Sequence, residues 1–245
     1  MIVSVELSNF RIPMYVQSEN IANLFKSRPV EGRVTRWKEE LILELSPEVN
    51  LDDITTNLPK VARVRMGDVL YWSEGKALCI FAGLSQPYCE ASLIGQVLAS
   101  PTRLLEVSST SYRITVPELP SGELRVVIDQ LSKMGYTCSV ATLEDGDCIA
   151  CVKNILPRRL YLEIYVEDAY IHVCTCPIIL KDERTSQLEK TLYQLVETYP
   201  EVRLDTDHYG NLCLSAVTEK GLGKLCSVIS KIELSYVKAI REVFS

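Results

Sequence analysis

Two prolines and a glycine fall within seven residues at Val116-Pro117-Glu118-Leu119-Pro120-Ser121-Gly122, a run that stops a strand and resists a helix. Before it the hydrophobic spacing is that of short strands, and after it helical and strand spacing alternate. The chain of 245 residues is long enough for two units near the usual 100 to 150 residues each. The break predicts one unit over 1–118 and a second over 121–245.

In the first unit Val3, Val5 and Leu7 alternate with Ser4 and Glu6, the pattern of a half-buried strand. Arg11 to Val16 reads as its partner, and Ser18 offers an N-cap to a short helix over 21–26 that ends before Pro29. From Gly32 to Leu45 the chain reads as extended. Trp37, Leu41, Leu43 and Leu45 share one parity there, and Arg36, Lys38, Glu40 and Glu44 share the other, which predicts a core face and a wet face. A polar loop spans 46–59. Short strands follow near 61–64, 69–72, 78–81, 93–98 and 112–116. Many short strands with one brief helix predict a mainly β unit that closes on itself and so hides its edges.

The second unit opens with Leu124, Val127, Ile128 and Leu131 at helical spacing, with Gly135 as the C-cap. Strands follow at 137–143, 148–153, 160–167 and 170–179. A helix runs from Thr185-Ser186 to Tyr199, where Pro200 stops it. A hairpin over 202–217 turns at His208-Tyr209-Gly210-Asn211, and a helix over 222–244 ends the chain. This order, α-β(3–4)-α-β(2)-α, predicts an α+β layer with helices on one antiparallel sheet.

Composition narrows the class. An apolar fraction of 47% and a charged fraction of 24% belong to a packed globular chain, not a disordered one. The net charge of −6 with no basic stripe argues against a nucleic-acid partner. No apolar run has the length of a membrane span, so no membrane is expected. The N-terminus goes straight into a strand, without a basic and apolar leader, so the expected location is the cytoplasm. Nine cysteines leave at least one free or joined between chains.

The segment Gly67-Asp68-Val69-Leu70-Tyr71-Trp72-Ser73-Glu74-Gly75-Lys76-Ala77-Leu78-Cys79-Ile80-Phe81-Ala82-Gly83, with Trp37-Lys38-Glu39-Glu40 upstream, resembles the signature of small cyclophilin-like β-barrels. That family occurs chiefly in archaea and thermophilic bacteria. Ser73-Glu74 stands where it often has two prolines. The resemblance implies a closed β-barrel over 1–118. It carries over no catalytic residue, because the enzymes' Phe-x-x-x-Gln and glycine-rich signatures are missing. In the second unit, Tyr161 to Val173 and the order of elements resemble the α+β fold of type III secretion chaperones. That likeness implies binding of extended partner segments and a possible homodimer through this unit.

Candidate sites follow from these segments. Arg36 is the arginine that could polarise a prolyl amide, and Trp37, Glu40, Tyr71, Trp72 and Lys76 gather the aromatic and charged groups of the two motifs. Tryptophan is large enough to anchor either a core or a ligand groove. Glu39 and Glu40, as strand neighbours, point to opposite faces and so cannot act as a carboxylate pair. Cys148-x-x-Cys151 and the set His172, Cys174, Cys176 do not converge as a tetrahedral zinc site requires, so no metal and no cofactor is expected. Two histidines, His172 and His208, leave no nucleophile-histidine arrangement to defend. Gly221-Leu222-Gly223-Lys224 reads as a helix start and not a phosphate loop. The leading expectation is a non-catalytic, chaperone-like module that binds protein or peptide segments. Peptidyl-prolyl isomerisation and small-molecule binding by the barrel are the alternatives.

Overall fold

The computed structural model describes residues 1–108, 110–118, 120–181, 186–207 and 209–244. Three sequence expectations fall outside them: part of the break at Leu119, the helix start at Thr185 and the turn residue His208.

Eight antiparallel strands close the first half into a barrel. They are β1 (Ile2–Leu7), β2 (Phe10–Val16), β3 (Val30–Trp37), β4 (Glu40–Glu44), β6 (Asp68–Trp72), β7 (Ala77–Phe81), β8 (Ala91–Val97) and β9 (Ser111–Thr115). The order around the barrel is β2-β1-β9-β3-β4-β7-β6-β8, and pairing of Met14 to Val16 with Gly95 to Val97 closes the ring. Eight strands leave an interior just wide enough for side chains to fill. Val3, Val5, Leu41, Leu43, Val69, Tyr71, Leu78 and Ile80 fill it. The helix α1 (Glu19–Ser27) packs Ile21, Ala22 and Phe25 into the same cluster. The two-residue strand β5 (Lys60–Val61) extends β8 on the outside.

Two short helices lie outside the helices and strands expected from the sequence. The one-turn α2 (Asp52–Thr55) sits in the 46–59 segment, and a 3-10 helix (Pro101–Leu105) follows β8. Each is a single turn or little more, too short to leave a hydrophobic period in the sequence. The extended run expected from Gly32 to Leu45 is a hairpin. Lys38 has φ 57° and, with Glu39, forms a two-residue turn, so Trp37 pairs directly with Glu40. Positive φ at such loops suits the right-handed twist of the flanking strands.

The second half is α3 (Gly122–Lys133), β10 (Thr137–Leu143), β11 (Gly146–Ile155), β12 (Arg158–Val166), β13 (Tyr170–Thr175), α4 (Ser186–Val196), β14 (Val202–Thr206), β15 (Leu212–Glu219) and α5 (Leu222–Phe244). Its six strands form an antiparallel sheet in the order β10-β11-β12-β13-β15-β14. A pairing of Thr142 with Arg11 joins β10 to β2, so sheet and barrel are hydrogen-bonded into one fifteen-stranded system. Cys138 and Cys151, partners across β10 and β11, form a disulfide.

One face of this sheet lies under the helices, where Ile149, Leu160, Leu162, Ile164 and Val173 meet Leu131, Leu192, Leu225 and Ile229. The other face meets the barrel. There Ala150, Val152, Tyr161 and Tyr165 belong to the same apolar cluster that fills the barrel. Gly67 sits at this junction with φ +87°, and a Cβ built on it would lie 2.0 Å from the Tyr161 hydroxyl. Both the backbone region and the close approach require glycine there.

Candidate functional site

The hairpin turn at Lys38-Glu39 decides which of the sequence-derived candidates meet. Residues paired directly across a hairpin point to the same face of the sheet, whereas neighbours along a strand point to opposite faces. Trp37 and Glu40 therefore share the outer face of the barrel, and Arg36 shares the inner one with its partner Leu41. The expected core position for Trp37 and wet position for Glu40 are both reversed. Trp37 is 47% exposed and Glu40 only 6%.

On that outer face Trp37, Glu40, Trp72, Phe81, Tyr88 and Cys89 line a pocket of about 200 Å³, floored by Leu70 and Cys79. Its floor exists because alternate residues of β6 and β7 face outward here as apolar side chains, forming a small cluster separate from the barrel interior. Tyr88 is 92% exposed and stands at the mouth with its ring 6.4 Å from that of Trp37, edge on. Lys38 places its ammonium 5.3 Å from the Trp37 ring centroid, a cation–π contact on the rim. Burial raises the Glu40 carboxyl above its ordinary range, against a smaller lowering by the Cys79 thiol. Burial in turn raises the Cys79 thiol, and Glu40 adds to that shift. The Trp72 indole N–H is buried with no acceptor among the described residues.

Glu39, which the sequence places beside Glu40, does structural work. Its carboxylate accepts from the Leu84 and Ser85 backbone N–H groups at 2.8 and 3.2 Å and so anchors the 82–89 segment that carries Tyr88.

The remaining candidates lie elsewhere. Arg36 donates to the carbonyls of Leu105, Leu104 and Val107 at 2.8, 2.9 and 2.6 Å, tying the 3-10 helix across the barrel end. Tyr71 is inside the barrel and donates from its hydroxyl to Asp52 at 2.9 Å, and Lys76 pairs with the other oxygen of Asp52. Lys76 first, and then Tyr71, lower the Asp52 carboxyl. This trio fastens α2 to the barrel. Three of the six candidates, Trp37, Glu40 and Trp72, thus converge, while Arg36, Tyr71 and Lys76 do not join them.

Residues 1–116 match the protein family described as Cyclophilin-like. The first half is a cyclophilin-like barrel. The matched span ends one residue beyond β9, and both tryptophan-bearing motifs lie within it. No curated protein matches the chain.

Sequence reasoning missed the polar groups that join the cyclophilin-like barrel to the sheet. Glu163 of β12 is buried between the two and accepts from the Ser100 backbone N–H at 3.1 Å and the Tyr165 hydroxyl at 3.3 Å. Arg103 of the 3-10 helix pairs with it at 3.2 Å and with Asp145 at 2.7 Å. Burial pushes the Glu163 carboxyl up, and Arg103, the Ser100 N–H and Tyr165 pull it back. Beside this pair a cleft of about 240 Å³ is lined by His172, Cys174, Asp205 and Asp207 among others. A signal was present: Tyr161-Leu162-Glu163-Ile164-Tyr165 alternates, yet neither parity is polar enough to face water, which marks a strand covered on both sides.

Among the described residues no group of three or more histidine, cysteine, aspartate or glutamate side chains is placed to hold a metal ion. None of their helices is long and apolar enough to cross a membrane.

Proposed function

We propose that the cyclophilin-like barrel is a peptide-binding module, and that its outer pocket takes an apolar side chain from an extended partner segment. The observation that carries this reading is the meeting of Trp37, Trp72 and Tyr88, two of them substantially exposed, around an open apolar pocket. Exposed aromatic groups beside an apolar floor have the composition of binding hot spots. The unpartnered Trp72 N–H adds a donor, and a buried donor without an acceptor costs about 1–3 kcal/mol in the free chain. An acceptor on the bound segment, such as a backbone carbonyl, recovers that cost.

This reading is favoured over prolyl isomerisation by the position of Arg36. That mechanism needs a cation at the amide nitrogen, and the Arg36 guanidinium is engaged by three carbonyls on the other side of the strand. No arginine or lysine is among the residues lining the pocket. A homodimer through the second half would use the β14 edge, the outer helix surfaces or the part of the barrel-side face around Tyr170 and Val217 that the barrel leaves exposed.

Trp37 and Trp72 are the only two tryptophans in the chain, so intrinsic fluorescence reports on the pocket directly. Titration of the full chain with short apolar and proline-containing peptides is expected to give a saturable change, weakened about 30-fold, or about 2 kcal/mol, by Trp37→Ala. The same peptides with an X-Pro bond are expected to isomerise at the uncatalysed rate. A flat titration across such a set overturns the binding reading, and catalysis by the wild type but not by Arg36→Ala would favour the isomerase.

A further inference from the structure

The aromatic pocket on the outer face of the barrel holds one group that an apolar ligand leaves unexplained. Glu40 lies among Trp37, Trp72, Phe81 and Tyr88 with only 6% of its surface exposed. A carboxylate taken out of water is costly unless a counter-ion comes with it. The other buried carboxylates follow that rule: Glu163 pairs with Arg103 at 3.2 Å and Asp68 with Arg159 at 2.6 Å. Glu40 does not. Its hydrogen-bond partner is the Cys79 thiol, no positive group offsets its burial, and no lysine or arginine lines the pocket.

The walls suit the missing charge. The face of an aromatic ring attracts a cation within about 6 Å of the ring centre, most strongly for tryptophan. The Trp37 and Tyr88 rings meet at 67° with centroids 6.4 Å apart, so they form a corner and not a stack. Trp37 already takes one cation, the Lys38 ammonium 5.3 Å from its centroid, although Lys38 is not part of the pocket lining. Rings and an unpaired carboxylate around one recess of about 200 Å³ give a site that is negative in potential and apolar in contact surface. An ordinary lysine head fits such a site poorly, because its ammonium is strongly hydrated and brings three N–H donors, while Glu40 is the one charged acceptor there. Methylation replaces donors by methyl groups and keeps the charge.

We infer that the pocket is an aromatic cage for a methylated lysine of the partner segment, with Glu40 as its counter-ion and Trp37, Trp72 and Tyr88 as its walls. The inference rests on the peptide-binding reading and names the side chain that the pocket takes. Methyl and methylene groups form the contact surface of that side chain, so it meets the floor at Leu70 as an apolar side chain does, and its charge answers Glu40. The recess has the volume of roughly seven waters at about 30 Å³ each, which admits one such head and the end of its stem.

The test is calorimetric titration of the full chain with one short peptide in three forms, carrying trimethyllysine, lysine or norleucine at a single position. The trimethyllysine form is expected to bind about 10-fold tighter than either of the others. Glu40→Gln keeps the shape of the side chain and removes its charge, and it is expected to abolish most of that preference, with an unchanged or higher Tm showing that the fold is intact. Equally tight binding of the lysine or norleucine form overturns the cage and leaves the peptide-binding reading standing. Heats absent from all three forms overturn that reading as well. A preference that survives in Glu40→Gln also overturns the proposal. Choline and neohexyl alcohol, its uncharged shape match, are titrated beside the peptides, and saturation by choline but by no peptide overturns the lysine assignment.

Discussion

The two faces of the second-half sheet are built from the same strands and are both buried at β12, yet they are chemically different there. On β12 the residues under the helices are Leu160, Leu162 and Ile164, while those against the barrel are Tyr161, Glu163 and Tyr165. The helix face gains by excluding water from aliphatic side chains, a non-directional contribution of about 25 cal/mol per Å². The barrel face has a partner for each polar group named: Glu163 for Arg103, the Ser100 N–H and the Tyr165 hydroxyl, and the Tyr161 hydroxyl for the Met66 carbonyl at 3.0 Å. Interfaces between parts of one chain are characteristically more polar than their cores. The difference teaches that β12 serves two purposes at once, closing a local core and setting the registration of sheet against barrel.

The comparison is broken most sharply at Arg103. Replacing it by methionine leaves the Glu163 carboxylate buried without its counter-ion, a change that costs about 3–5 kcal/mol. Adding Glu163→Gln removes the orphaned charge and is expected to recover more than half of that loss, since the pair acts as a unit. Urea unfolding followed by tryptophan fluorescence and by far-ultraviolet circular dichroism measures both. Fluorescence sees only the barrel, where both tryptophans lie, and dichroism sees the helices of the second half. Coincident transitions in the wild type, which separate in Arg103→Met, are the result expected if this face couples the halves. Transitions already separate in the wild type mean that the halves unfold as independent domains.

Leu162→Ala tests the opposite face. The side chain is fully buried among helix-facing residues, and truncation there costs about 2–5 kcal/mol, with about 3 the expected value. No second substitution nearby restores it, because a cavity has no partner charge to remove. Dichroism is expected to shift before fluorescence in this variant. An equal shift in both probes would show that the polar face transmits the loss to the barrel, strengthening the coupling argued from Arg103.

How far these features were legible follows from the range over which each signal acts. The barrel strands, the helices α3 and α5 and the order of the second half could be read because their periodicity lies within a single element, as at Leu124 to Leu131 or Val3 to Leu7. The turn at Lys38-Glu39 could not, because neither residue is a glycine or asparagine, and positive φ at Lys38 is imposed by the strands on either side. That one misreading reversed the faces of Trp37 and Glu40. The Arg36 contacts were beyond reach for another reason: their carbonyl acceptors lie 68 to 71 residues away, in and just after a 3-10 helix with no sequence signature. The Glu163 to Arg103 pair spans 60 residues and two halves of the chain. Only the missing wet face of β12 hinted at it.

A smaller effect separates two buried carboxylates, Glu163 with a guanidinium beside it and Glu40 with none in its pocket. Burial raises the Glu40 carboxyl above its ordinary value of 4.5. The folded chain therefore holds that proton more tightly than the unfolded chain does, so the stabilisation is complete below 4.5 and is lost as pH rises through the folded value. Glu40→Gln removes a group that must ionise inside an apolar wall, and its stability relative to wild type is expected to increase from pH 4 to pH 8. The increase levels off once Glu40 is ionised in both states. Urea midpoints for the two proteins across that range give the difference without reference to other titrating groups. A difference that falls with rising pH would mean that the Glu40 carboxylate is stabilised in the folded pocket by a charge or donor, and would place it with Glu163 instead of opposite it.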